Sequence, residues 1–386
     1  MVKFVNFGCW NKTDNNPGLK DVFTAIKKEK DIDFFIVNGD NYYQNKNKNK
    51  NKDKKEGSVR GEKTINKKEL FKGFNLLSEV ITKVEQELYL LMGNHDLEMI
   101  NKDCETTRLE QFYVDMYNIN KKFKQFHFPN DLIMFKEIDD NIIIMIDTNI
   151  YTDLGIDKEC YKIINADYND GFNFIEYQKN LIIEKLGGNI YKNIIVCGHH
   201  PLFGIKNQKM KENKLKGGIE TLSKEIYELF LDVIKDHSEN IIYLCADVHN
   251  YQKGKVTITK KDQNIQVQQY IVGTGGADLD DDYNEKYNKD FNPNNSNIDP
   301  VCLIEYSIDD IDLVYEIDKH TSQYGYIVVE INNDFVKIQP RMIQGEPINK
   351  CGNIKSRKRG YSLPLRRTSK SRSKPKPKSR SRPKSI

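Results

Sequence analysis

The residues of this chain that could bind a cation or move a proton fall into four short clusters. They are Asp40 and Tyr43 in NGDNYY, Asn94, His95 and Asp96 in GNHD, His199 and His200 in GHHP, and Asp247 and His249 in ADVH. A fifth position, Cys9 in FGCWN, stands beside the chain's one tryptophan. Carboxylate, imidazole and amide oxygen donors suit Zn, Fe and Mn. One Asp can bridge two cations about 3.5–4 Å apart, and such a pair holds both the attacking and the leaving oxygen of a phosphoryl transfer. Each cluster has an ordinary reading by itself. Gly-Asp after a strand is a common turn, and a His there is more often packed or capping than a ligand. A free cysteine often acts as a small apolar filler. Four clusters in chain order, each following an apolar run, argue for shared chemistry.

The apolar runs supply the elements that must position these groups. Val2–Phe7, Phe34–Val37, Leu88–Met92, Ile142–Ile146, Ile194–Val196, Ile241–Leu244, Tyr270–Val272 and Tyr326–Ile331 read as strands. Leu19–Lys28, Phe174–Leu186 and Leu222–Ile234 carry apolar residues at three- and four-residue spacing and read as helices. Strands rich in Ile and Val at successive positions belong in a sheet covered on both faces. The expected fold class is therefore α/β, in layers, with helices outside. In open α/β sheets the carboxyl ends of the strands form the binding crevice, so the clusters should converge there.

The 386 residues are enough for one large domain or two ordinary ones, and 38% are hydrophobic. The net charge of +4 hides two opposed parts. Residues 355–386 hold 14 of the 60 Lys and Arg residues and no acid, which leaves 46 basic against 56 acidic residues elsewhere. That Arg/Ser/Lys/Pro-rich tail cannot bury a core and is expected to be disordered. Its charge suits nucleic acid or another polyanion. The Lys/Asn-rich stretch 45–68 reads as a low-complexity surface insertion within a domain spanning 1–345. The seven cysteines are scattered and odd in number, which suits free thiols in a reducing compartment. With no signal sequence and no long apolar run, the expected location is intracellular, cytoplasmic or nuclear or within a virion, with no membrane association.

Taken together, GDNYY at 39–43, GNHD at 93–96, GHHPLFG at 198–204, CADVHNYQ at 245–252 and GTGGAD at 273–278 resemble the calcineurin-like metallophosphoesterase superfamily. Within it the chain is most similar to the small, tartrate-resistant type of purple acid phosphatase, because Tyr43 stands three residues after Asp40. The resemblance implies a β-sandwich flanked by helices and two metal ions, Zn, Mn or Fe. It implies that Asp40 bridges them, that Tyr43 and His249 bind the first, and that Asn94 and His199 bind the second. His95 would stand near the scissile phosphate as electrostatic partner or proton donor to the leaving oxygen, Asp96 would orient the His95 imidazole, and His200 would lie beside the substrate phosphate. A metal-bound hydroxide would attack a phosphomonoester.

Two positions depart from the branch pattern. Cys9 stands where its first motif has an Asp ligand, and Asp247 stands where its late motif has a His ligand. Thiolate and carboxylate are both metal donors. Counted as ligands alone, the exchange adds one negative charge. Two readings follow: a working phosphoesterase with Cys9 and Asp247 as ligands, or a catalytically impaired pseudophosphatase that binds partners, with its tail on nucleic acid.

Overall fold

The apolar runs form the middle strands of two mixed sheets. In chain order the strands are β1 (Val2–Phe7), β2 (Phe34–Val37), β3 (Glu87–Leu90), β4 (Phe126–His127), β5 (Ile133–Ile138), β6 (Asn141–Ile146), β7 (Asn193–Cys197), β8 (Phe203–Lys211), β9 (Lys214–Thr221), β10 (Ile241–Cys245), β11 (Tyr251–Lys260), β12 (Gln263–Val272), β13 (Cys302–Ile308), β14 (Ile311–Thr321), β15 (Gly325–Ile331) and β16 (Val336–Met342). The helices are α1 (Pro17–Ile26), α2 (Lys67–Ser78), the single turn α3 (Asn94–Leu97), α4 (Phe174–Leu186) and α5 (Lys224–Asp232). The computed structural model describes residues 1–12, 17–43, 67–97, 122–128, 132–152, 172–211, 214–280, 302–333 and 335–343. These lie within one compact unit, Met1–Ser356. The tail 355–386 and residues 45–66 of the insertion fall outside the described residues. No helix among the described residues is long and apolar enough to cross a membrane.

One sheet has the order β16-β15-β1-β2-β3-β4 and the other β13-β14-β11-β12-β10-β7-β6-β5, while β8 and β9 form a separate hairpin. Strands β1 to β4 run parallel, as do β6, β7, β10 and β12. Every residue of β2, β6, β7 and β10 is buried, as their unbroken apolar runs require of a doubly covered sheet. One hydrophobic cluster draws on both sheets. On the first sheet, Phe23 of α1 packs on Phe7 and Trp10, and Phe74 of α2 packs edge-on against Trp10. Beside the second sheet, Gln178 of α4 bonds the carbonyls of Leu132 and Asp147.

The architecture is the layered α/β fold expected from the sequence. Several bounds differ. The third expected strand ends at Leu90, because the Leu91 amide turns to the carbonyl of Val37 at 2.8 Å. The run read as Tyr270–Val272 is the buried end of the ten-residue β12, whose first half alternates exposed and buried residues. Its partner β11, YQKGKVTITK, lacks an apolar run because Lys and Thr occupy its outer face.

Candidate functional site

The carboxyl ends of β1, β2, β3, β7 and β10 meet at one place, and each delivers a cluster. Cys9, Asp40 and Asp247 all lie in the left-handed region, at φ 54°, 55° and 53°. A non-glycine residue there is uncommon and marks a turn or a functional constraint. This conformation turns each chain sharply off its strand. Two glycines let the turns close. A Cβ on Gly93 would lie 2.3 Å from the Asp40 amide nitrogen and from its Oδ1. Gly39, at φ 80°, would push a Cβ to 2.7 Å from Nδ1 of His199. The Cys9 amide then bonds the Gly39 carbonyl at 3.1 Å, and the Ala246 amide bonds the His199 carbonyl at 2.8 Å.

Asp40, fully buried, stands at the centre. Its Oδ2 accepts from the Tyr43 hydroxyl at 2.6 Å and from the Cys9 thiol at 3.7 Å. Its Oδ1 accepts from the His95 amide at 3.0 Å and lies 3.3 Å from Nε2 of His199. The Tyr43 hydroxyl is also 3.0 Å from Nε2 of His249. On the other side, Nε2 of His199 is 3.0 Å from Oδ1 of Asn94 and 3.8 Å from Oδ1 of Asp247. The His95 ring packs on the Tyr43 ring, centroids 4.5 Å apart. Nine of the ten expected site residues therefore share one crevice through their side chains.

Asp96 is the exception. Its carboxylate accepts from the Gly93 amide at 2.8 Å, the Asn41 amide at 2.9 Å and the Asn41 side chain at 3.1 Å. It clamps the β2 and β3 loops together. The reason is local: α3 is one turn long, and Asp96 points back to the amides at its start.

Electrostatics follow from burial. Burial raises the Cys9 thiol well above its ordinary value, and Asp40 raises it further. The Tyr43 phenol is raised by the same causes. Burial alone would raise Asp40, but His199, His95 and the Tyr43 hydroxyl outweigh it and hold the carboxyl below its usual range. Burial and Asp40 push Asp96 up to about 7. Asp247 is held low against its own burial, chiefly by Lys206, whose ammonium lies 3.0 Å from Oδ2.

Sequence reading missed four groups here. Lys206 lies in the polar hairpin strand β8 and carried no motif. Thr148 bonds both His199 and His200. The backbone carbonyl of Asp278 holds Nδ1 of His249 at 2.6 Å, and the Asp280 carboxylate holds the His249 amide at 3.0 Å. The GTGGAD motif was the available signal for Asp278; the other three had none.

Two groups of three donors emerge, Cys9 with Asp40 and His249, and His199 with His200 and Asp247. Within each group the ligand atoms all lie within 4.8 Å of one another. A buried thiol, phenol and two carboxyls brought together among imidazoles make a set that a cation of the Zn, Mn or Fe type fits.

Such a fold and such strand ends define a class of layered α/β proteins that gather metal donors where the carboxyl ends of two sheets meet. The sequence matches the model of the calcineurin-like phosphoesterase family over residues 2–251, and the chain belongs to that family. Among solved structures, that of PhoD is similar at 12% identity, covering 91% of this chain and 72% of its own, with a TM-score of 0.47. Vacuolar Protein Sorting 29 from Cryptosporidium parvum is similar at 9% identity, covering 90% of this chain and 98% of its own, with a TM-score of 0.24. The family assignment rests on the family match. No curated protein matches the chain.

Proposed function

We propose that the chain is a metal-dependent phosphoesterase that hydrolyses phosphomonoesters. The observation that carries this reading is the convergence in one crevice of Cys9, Asp40, Tyr43 and His249 with Asn94, His199 and Asp247. Cys9, Asp40, Tyr43 and His249 would hold one cation, and Asp40, Asn94, His199 and Asp247 a second. Bound cations would supply the Lewis acidity that phosphoryl transfer to water requires. The chain's own part is to orient and to move protons. His95, half-buried on the face of Tyr43, is the side chain placed to protonate a leaving oxygen.

The purple acid phosphatase branch is the finer reading, supported by Tyr43 bonding to both Asp40 and His249. The exchange of a His for Asp247 adds a negative charge, and Lys206 offsets it. The pair therefore carries the same net charge as the neutral imidazole it replaces.

One observation favours the pseudophosphatase reading. Cys9 packs among Ala246 and Ala277, with Tyr43 beside it, as an apolar filler would. Elemental analysis and p-nitrophenyl phosphate hydrolysis on one preparation separate the two readings. An active enzyme binds about two metal ions per chain, and His95→Ala lowers kcat by roughly 10²–10⁴-fold. Absence of turnover after loading with Zn, Mn or Fe would leave a binding protein.

A further inference from the structure

Thr148 follows β6 at the head of the 3-10 turn Asn149–Tyr151. Its Oγ1 accepts the backbone N–H of His199 at 3.1 Å and that of His200 at 3.0 Å. A hydroxyl oxygen has two lone pairs and one hydrogen. The two amides use both lone pairs. Among the described residues the remaining hydrogen-bond contact of Oγ1 is Nδ1 of His200, at 2.9 Å. The hydroxyl hydrogen must therefore go to Nδ1, which accepts. A neutral imidazole carries one N–H, and with Nδ1 accepting, that N–H is on Nε2.

Nε2 of His200 is buried and has no hydrogen-bond partner among the described residues, in a residue only 7% exposed. A buried donor left without an acceptor bears its full desolvation cost. The ring stands beside His199 and Asp247, inside the donor group described above. A metal is a poor match for this nitrogen. Coordination through Nε2 would need a proton on Nδ1, and the Thr148 oxygen has no third lone pair to receive it. An oxyanion is a good match, because it accepts and does not donate.

We propose that Thr148 is a positioning residue that fixes His200 as an Nε2–H donor to an oxygen of a bound phosphate group. The identity of the anion rests on the phosphoesterase reading; the direction of the hydrogen bond does not.

Long-range ¹H–¹⁵N correlation spectra of the full chain, with His200 assigned by its loss in His200→Gln, read the tautomer directly. The expected pattern is Nε2–H in the wild type and in Thr148→Ser, which keeps the hydroxyl. An Nδ1–H pattern, or a mixture of the two, would overturn the proposal. Calorimetry with inorganic phosphate and Mn(II) reads the ligand. His200→Ala is expected to weaken phosphate binding about tenfold. His200→Gln, whose amide can still donate, is expected to stay within about threefold. Binding by His200→Ala as tight as wild type would overturn the proposal. A chain with the Nε2–H form and His200-dependent phosphate binding but no hydrolysis would sink the phosphoesterase reading alone. Hydrolysis by a chain whose His200 is Nδ1–H would sink this proposal alone.

Discussion

Asp96 keeps its carboxyl fully out of water, with three N–H donors aimed at it from Gly93 and Asn41. Asp96→Asn turns one acceptor into an amino group, which must then face a donor. The expected outcome is a loss of about 2 kcal/mol in stability, because a mismatched buried polar group bears its full desolvation cost. A urea denaturation midpoint equal to wild type would show that the clamp carries no load. The GNHD motif made Asp96 conspicuous, but its contacts with Gly93 and Asn41 were not legible. Sequence order put it beside His95, whereas the one-turn α3 sends consecutive side chains in different directions. Cys9 was legible as a strand-end residue and, through the family resemblance, as a donor beside Asp40, although 31 positions separate them. Thr148 was not legible at all, because a threonine after a strand reads as an ordinary turn residue.

At the level of elements, the donor positions were legible wherever a fully buried strand runs straight into a polar cluster, as at β2, β7 and β10. Such strands have no polar face to blur their ends. The hairpin of β8 and β9 was illegible for the opposite reason: FGIKNQKMK and KLKGGIET mix charge with apolar residues throughout. Yet this hairpin supplies Lys206, which lies 3.0 Å from Asp247 and 3.6 Å from Glu220. Lys206→Met leaves the buried Asp247 carboxylate without its ammonium. The metal-free variant is expected to be less stable by about 2 kcal/mol, since removing one partner of a buried pair strands the other. Added Mn(II) should then raise its melting temperature by more than it raises that of the wild type, because the cation takes over the lost charge. Thermal denaturation with and without Mn(II) checks this, and equal rises in the two proteins would show that Lys206 does not balance the site.

On the scale of the whole molecule, a body with 46 basic and 56 acidic residues carries a segment with 14 cations and no acid. We propose that residues 355–386 bind a polyanion, nucleic acid first, by counterion release. Removing the segment, in a protein ending at Lys350, is expected to abolish most nucleic-acid binding, and the full chain should lose affinity steeply between about 50 and 200 mM salt. Filter binding across a salt series measures both. A truncated protein that binds as well as the full chain would place the surface on the body instead. The layered body was legible because its buried strands announce themselves. Its outer strands β11, β13, β14 and β16 were not, since one of their faces meets water and breaks the apolar pattern.

The hydrogen bonds that tie Cys9 to Ala277 and Gly8 to Val272 have a consequence for how the protein is made. β1 is synthesised early relative to its partner β15, which comes more than 300 residues later. Such long-range closure is slow, because loop entropy is lost before contacts repay it. His249 is anchored by groups on Asp278 and Asp280. A nascent chain therefore holds Asp40 and Asn94 long before His249 and the groups that anchor it exist. A chain ending before residue 278 lacks both the carbonyl that holds the His249 ring and the carboxylate that holds its amide.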